Sequence, residues 1–321
     1  MYPATTITRL PLVRGVSFVQ ASTWVVASLL AVSSIAGLAF GPHGWYDRES
    51  VVFPALLGQD AVALLMGVPL LAASAWLASR GSTRALLCWM GGLFYVAYFW
   101  YFYVIGIRFT PLLPVHIVLV SMGMYGALYL VFALDAADLK ARFDARTPVR
   151  LVGGFLMATA IGFAALWMST IVSTAAAGRE LDAVTRFVIA IDGVVLLPLT
   201  FFGGLWLWRR EPLGYALAGL LLVKIVATFL TLVVTSFASA GAGLSGNPVE
   251  AITYAAGLVV AAILLVTYLR HVHDDAGLLR DVARPESARR ADRLSPTMLE
   301  VFSLAGGRTQ SARQAATRAR P

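Results

Sequence analysis

The sequence predicts an all-α, polytopic membrane protein arranged as an eight-transmembrane-helix bundle, and three observations carry that reading. The chain is 59% hydrophobic and 13% charged, with a mean hydropathy of +0.78, whereas a soluble domain carries about 25% charged residues. Eight apolar runs recur at 18–40, 61–79, 85–107, 111–134, 151–173, 187–208, 214–237 and 249–270, each close to the ~20 residues that cross a bilayer as a helix. Basic residues then sort to alternate connections between those runs.

The first run follows Arg9 and Arg14 as a signal peptide would, but it exceeds the roughly 7–15 apolar residues of a signal core and is kept as a helix. The connection 41–60, opening Gly41-Pro42-His43-Gly44-Trp45-Tyr46, is long enough to fold over the mouth of the bundle. The third run is aromatic from Phe94 to Tyr103. Trp100 to Tyr103 fall near its end and read as an interfacial belt, while Tyr95 and Tyr98 lie deeper and are candidates to line a cavity. Segment 135–150 alternates acidic and basic residues and reads as lying at the membrane surface. The sixth and seventh runs are joined only by Arg209 to Leu213, which makes them antiparallel neighbours.

Beyond residue 274 large apolar residues become rare, and such composition cannot bury a core. The chain therefore divides into a cytoplasmic N-terminal segment 1–17, a membrane domain 18–273 and a disordered basic tail 274–321. Positive charge on that tail would hold it near anionic lipid head groups.

With the N-terminus inside, twenty basic residues fall on inner segments and four, Arg48, Arg108, Arg179 and Arg186, on outer ones. The positive-inside rule then places both termini in the cytoplasm. It also accounts for the net charge of +8 without a nucleic-acid partner. Lys140 and Lys224 are the only lysines, and this preference for arginine suggests a GC-rich bacterial genome and hence the bacterial inner membrane. Cys88 is the single cysteine, which excludes an internal disulfide and a thiolate metal cluster.

A possible internal repeat relates the two halves, 18–134 and 150–270. Asp60 precedes Trp76 by the same spacing at which Asp192 precedes Trp208. Pro114-Val115-His116 with Gly123 matches Pro248-Val249-Glu250 with Gly257. Four runs per half make the copies parallel. Asp60, His116, Asp192 and Glu250 would then lie near the outer helix ends and form an acidic outer vestibule.

The polar centre is expected at Lys224, in the middle of the seventh run. A lysine at the centre of a spanning helix costs roughly 2.5–3.5 kcal/mol on insertion scales, so it should face the protein interior and have a partner. Asp192 is the nearest candidate. Thr228, Thr231 and Thr235 follow Lys224 on the same helical face. Other chemistries find no support. A haem pair needs two intramembrane histidines and only His116 qualifies. Phosphate loops, HExxH and G-x-S-x-G are absent, and His271, His273, Asp274 and Asp275 make at most a weak metal set. No cofactor and no metal are implied, and an enzyme is the less favoured reading. A lysine in a seventh helix, as in the retinal proteins, stands without their other features.

Four stretches carry a resemblance. At Asp192-Gly193, Arg209-Arg210-Glu211-Pro212-Leu213-Gly214-Tyr215, Leu221-Leu222-Val223-Lys224 and Tyr95 to Tyr125 with Phe109-Thr110-Pro111, the chain resembles a group of bacterial multi-helix membrane proteins to which no activity is attached. Leu213 and Thr110 depart from the aromatic and the asparagine frequent in that group. The resemblance covers the eight runs and not the tail, and it implies architecture only. The function expected from the residues is binding or transport of a small solute or ion at Lys224 and Asp192. The alternatives are a membrane sensor or scaffold that binds partners through its vestibule and tail, and an intramembrane enzyme acting on a lipid.

Overall fold

A computed structural model describes residues 10–48, 53–241 and 248–274; the side chains of residues 241, 248 and 250 lie outside that description. The disordered-tail assignment at 274–321, most of the segment 1–17 and the Glu250 side chain therefore fall largely or wholly outside the described residues. Within them the chain is helical, without strands, and eight helices are long and apolar enough to cross a membrane. They are α1 (Ser17–His43), α2 (Phe53–Ser79), α3 (Thr83–Ile105), α4 (Leu113–Ala133), α5 (Val149–Ala176), α6 (Ala183–Trp208), α7 (Pro212–Ala240) and α8 (Ala251–Arg270). A bilayer setting follows from those lengths and compositions.

Two boundaries differ from the sequence expectation. Helix α2 begins at Phe53 rather than 61, and α6 at Ala183 rather than 187. Gln59 and Asp60 interrupt the apolar run, yet both are buried inside α2, because neighbouring helices supply their hydrogen-bond partners. The connection expected over 41–60 is correspondingly short. Its described part is a tight turn, Gly41–His43, after which Tyr46 folds back into the core. The connection 135–150 contains a short helix, Ala136–Ala141, capped by Asp135, whose carboxylate accepts from the backbone of Ala137 and Asp138.

Helices α1 to α4 pack in sequence, with α1 also against α4; α5 to α8 pack in sequence as well. Helix α7 joins the groups, lying against α2, α3, α6 and α8. The centre is therefore the α3–α7 contact, and close backbone approach makes it. A Cβ on Gly91 would come within 2.5 Å of Val223 Cβ and 2.8 Å of the Leu220 carbonyl. The α6–α7 hairpin is equally tight, since a Cβ on Gly214 would meet the Leu207 nitrogen at 2.3 Å. Trp100 and Tyr103, expected in an interfacial belt, are instead buried, because α3 runs through the middle of the protein.

The arginine-rich ends of the helices are tied together by polar contacts. Asp274 accepts from the Thr83 amide, Arg84 donates to the Val272 carbonyl, and Arg142 pairs with Asp138 at 2.8 Å. Asp144 sits 3.5 Å from His271, and the Arg146 amide holds its carboxyl below the usual carboxylate range. Asp274 is thus engaged with Thr83. Among the described residues no three His, Cys, Asp or Glu side chains meet at this end or elsewhere.

Both α2 and α6 contain one widened, π-helical turn, at Ala63–Gly67 and Asp192–Leu196, followed at once by Pro69 and Pro198. A proline inside a helix clashes with the carbonyl four residues back, and a wider turn relieves that clash.

The packing argument predicts opposite outcomes for two glycines. Gly91→Ala overfills the α3–α7 contact and should lower stability in detergent by about 1–3 kcal/mol. Gly193→Ala enters open space and should be neutral or mildly stabilising. Equal effects in a thermal-denaturation comparison would contradict the central placement of α3 and α7.

Candidate functional site: a polar centre beside an interior cavity

Lys224 lies midway along α7 and is 1% exposed. Its Nζ sits 3.6 Å from the centroid of the Tyr98 ring. The Tyr98 hydroxyl donates to Asp192 Oδ1 at 2.6 Å, and the Trp167 indole donates to Oδ2 at 2.9 Å. Among the described residues the ion pairs within 4.0 Å are Arg142–Asp138 and His271–Asp144. Lys224 and Asp192 are thus brought into one site without touching. Tyr98 stands between them, presenting its ring face to the ammonium and its hydroxyl to the carboxylate. A cation over a desolvated ring gains up to about 2 kcal/mol. The hydrogen bond on the other edge of the ring is charge-assisted and stronger than a neutral one.

The threonine face of α7 continues from this point. Thr228 donates to the Lys224 carbonyl at 2.8 Å and Thr231 to the Ala227 carbonyl at 3.0 Å. Both hydroxyl protons are used within the helix, so their oxygens are left as acceptors. A small pocket of about 50 Å³ lies against Lys224, Tyr98, Asp192, Thr159, Thr200 and Thr228.

Above it opens a cavity of about 310 Å³ contributed by six helices. Its apolar walls are Phe99 and Phe102 of α3, Phe163 and Leu166 of α5, Val188 and Ile191 of α6, and Leu232 of α7. Its polar groups are Gln59, Tyr98, Asp192, Thr228, Thr231, Thr235 and Tyr254. Tyr95, fully buried, holds Gln59 from behind by accepting from its amide nitrogen at 2.9 Å.

Asp60 and His116 belong to a second polar cluster, closed off from solvent and placed between α1, α2, α3 and α4. Tyr46 donates to Asp60 Oδ2 at 2.6 Å and Tyr103 to Oδ1 at 3.1 Å. Burial pushes the Tyr46 phenol far up, with the Asp60 carboxylate adding to the effect, so it remains a donor. Gly37 makes room for this carboxylate: a Cβ there would fall 2.0 Å from Asp60 Oδ2. His116 Nε2 lies 3.1 Å from Ser33 Oγ, which accepts from the Trp100 indole at 3.2 Å. The four acidic and histidine positions expected in one vestibule are therefore divided. Asp60 and His116 share one cluster, Asp192 joins Lys224, and the Glu250 side chain lies outside the described residues.

Sequence reasoning missed Tyr46, Gln59, Tyr103 and Trp167. Gln59 and Trp167 had a usable signal, since each is a polar group within an apolar stretch that must find a partner. Tyr46 had none, because its role depends on a turn that brings it back to α2.

The bridging geometry predicts which pairs are coupled in stability. Tyr98→Phe, which keeps the ring and loses the hydroxyl, should be coupled to Asp192→Asn but not to Lys224→Met. Tyr98→Leu should be coupled to both, by roughly 0.5–3 kcal/mol for contacting residues. Double-mutant cycles in detergent measure this, and strong Lys224–Asp192 coupling in the Tyr98→Leu background would contradict it. In comparisons with known proteins, no family model, no curated protein and no solved structure matches this chain.

Proposed function

We infer that the chain is a bacterial inner-membrane protein, with both termini cytoplasmic, that binds a small solute in the cavity beside Lys224 and Asp192. The observation that carries this is the convergence of polar groups from α2, α3, α6, α7 and α8 on one partly open cavity of about 310 Å³. A helical protein whose only role was to present surfaces to partners would have no use for such a space. Packed interiors leave few voids larger than a water molecule.

In this reading Asp192, Tyr98 and Lys224 form the polar floor and Thr228 and Thr231 orient the ligand. Gln59, held by Tyr95, faces it from the other wall. Asp60, with His116, keeps α1 to α4 in register beside it. The arginine-rich side below Lys224 is filled by Leu86, Leu87, Met90, Leu93, Leu217, Leu220 and Leu221, all buried, so passage through the protein would require α3 and α7 to separate at Gly91. A parallel two-fold repeat is supported by the matching neighbour order of α1–α4 and α5–α8 and by the proline-linked turns of α2 and α6. Its register is loose: Pro69 and Pro198 are 129 residues apart, Asp60 and Asp192 132.

A ligand at one hundred times its Kd should stabilise the protein by about 2.7 kcal/mol. A thermal-shift screen of water-soluble and lipid-soluble compounds, on protein in nanodiscs, should yield hits that protect the wild type. Those hits should fail to protect Thr231→Phe, which fills the cavity. Protection of both proteins alike, or of neither, would overturn the assignment.

A further inference from the structure

The cavity has two features beyond its size. Gln59 is 4% exposed and lines the cavity, and its amide oxygen Oε1 has no hydrogen-bond partner although the amide nitrogen is held by Tyr95. A buried acceptor left unpaired costs free energy, and natural structures satisfy nearly all of them. This one therefore asks for a donor from whatever fills the space. A cavity of ~150 Å³ takes up a benzene, so at about 310 Å³ there is room for a ring carrying a short apolar chain.

The second feature is the wall on the α5–α6 side. Trp167 lines the cavity with one part of its surface and an outward groove of about 480 Å³ with another. That groove is bounded by Ile161, Met168 and Ile171, which are exposed on an apolar helix face, and so it faces lipid rather than water. The Trp167 indole is held by its hydrogen bond to Asp192. That carboxylate sits on the widened turn of α6, beside Gly193, which has open space around it. Trp167 thus stands between the cavity and this groove, with its indole held on Asp192.

From these we propose that the ligand is a bilayer-dissolved amphiphile, a ring with a hydrogen-bond donor and an apolar chain, that enters between α5 and α6 past Trp167 and donates to Gln59 Oε1. This rests on the cavity being a ligand site and adds the class of ligand and its route. The donor end would meet Gln59 deep in the cavity, the ring would lie among Phe99, Phe102 and Phe163, and the chain would trail toward the α5–α6 groove.

The test uses the full chain in nanodiscs and three probes. These are para-hexylphenol, para-hexylanisole, which has the same shape without the donor, and para-hydroxybenzenesulfonate, which has the donor but stays in water. Para-hexylphenol should bind, with para-hexylanisole about tenfold or more weaker, the range expected for an unpaired buried acceptor. Gln59→Leu should abolish that difference while leaving hexylanisole binding unchanged. Trp167→Phe, which keeps the ring and loses the bond to Asp192, should speed probe exchange measured by NMR line shape, with Trp167→Ala as a second variant should the first alter folding. Equal binding of the two hexyl probes, or no change in exchange with either Trp167 variant, would overturn the proposal. So would binding of the sulfonate in place of the phenol, in which case a water-borne ligand would leave the solute-site assignment standing. Failure of all three probes together with hits from water-soluble compounds that Thr231→Phe abolishes would have the same meaning. Failure of every compound would remove both.

Discussion

An ammonium group buried halfway along a spanning helix must be compensated locally, and the rest of this protein is arranged around how that is done. Lys224 and Asp192 do not meet directly. Tyr98 instead separates the charges, taking the ammonium on its ring face and the carboxylate on its hydroxyl. Breaking up such a buried charge pair by removing one member is costly, about 3–5 kcal/mol in soluble proteins. The arrangement therefore ties α3, α6 and α7 to one another, and through Trp167 it reaches α5 as well. One aromatic residue on the central helix thereby links four of the eight helices.

The cavity is a consequence of the same geometry. Helices α2 and α6 both carry a widened turn just before a proline, and Asp192, on the α6 turn, lines the cavity. On the arginine-rich side, Gly91 and Gly214 let backbones approach closely and the packing is tight. On the cavity side, large aromatic side chains line the space without filling it. Hydrogen bonds satisfy most polar groups around it, so the exceptions are informative. Gln59, whose Oε1 is buried without a partner, belongs to the cavity lining, whereas Ser34 and His116, with unpartnered Oγ and Nδ1, do not.

The number of spanning helices and the burial of Lys224 were legible because they rest on strong, local signals: length of apolar run and the cost of charge in lipid. The start of α2 was not, because Gln59 and Asp60 look like the end of a helix when their partners, Tyr95, Tyr46 and Tyr103, are far away in sequence. The same distance hid the role of Tyr103, which aromatic-belt statistics place at an interface and which α3, as the central helix, buries. Pairing Lys224 with Asp192 named two residues that meet the same tyrosine rather than each other, because sequence gives helix neighbours but not which third side chain stands between them. Pro69 and Pro198 within apolar runs were a readable sign of the two widened turns.

The most direct measurement of the central claim is an experimental density map of the protein in nanodiscs, sharp enough to place side chains on α3, α6 and α7. The account predicts Lys224 Nζ over the Tyr98 ring at about the 3.6 Å seen here, the Tyr98 hydroxyl on Asp192, and open or ligand-filled density in the six-helix cavity. A map with Lys224 in direct contact with Asp192, Tyr98 turned away and the cavity closed by protein side chains would contradict it.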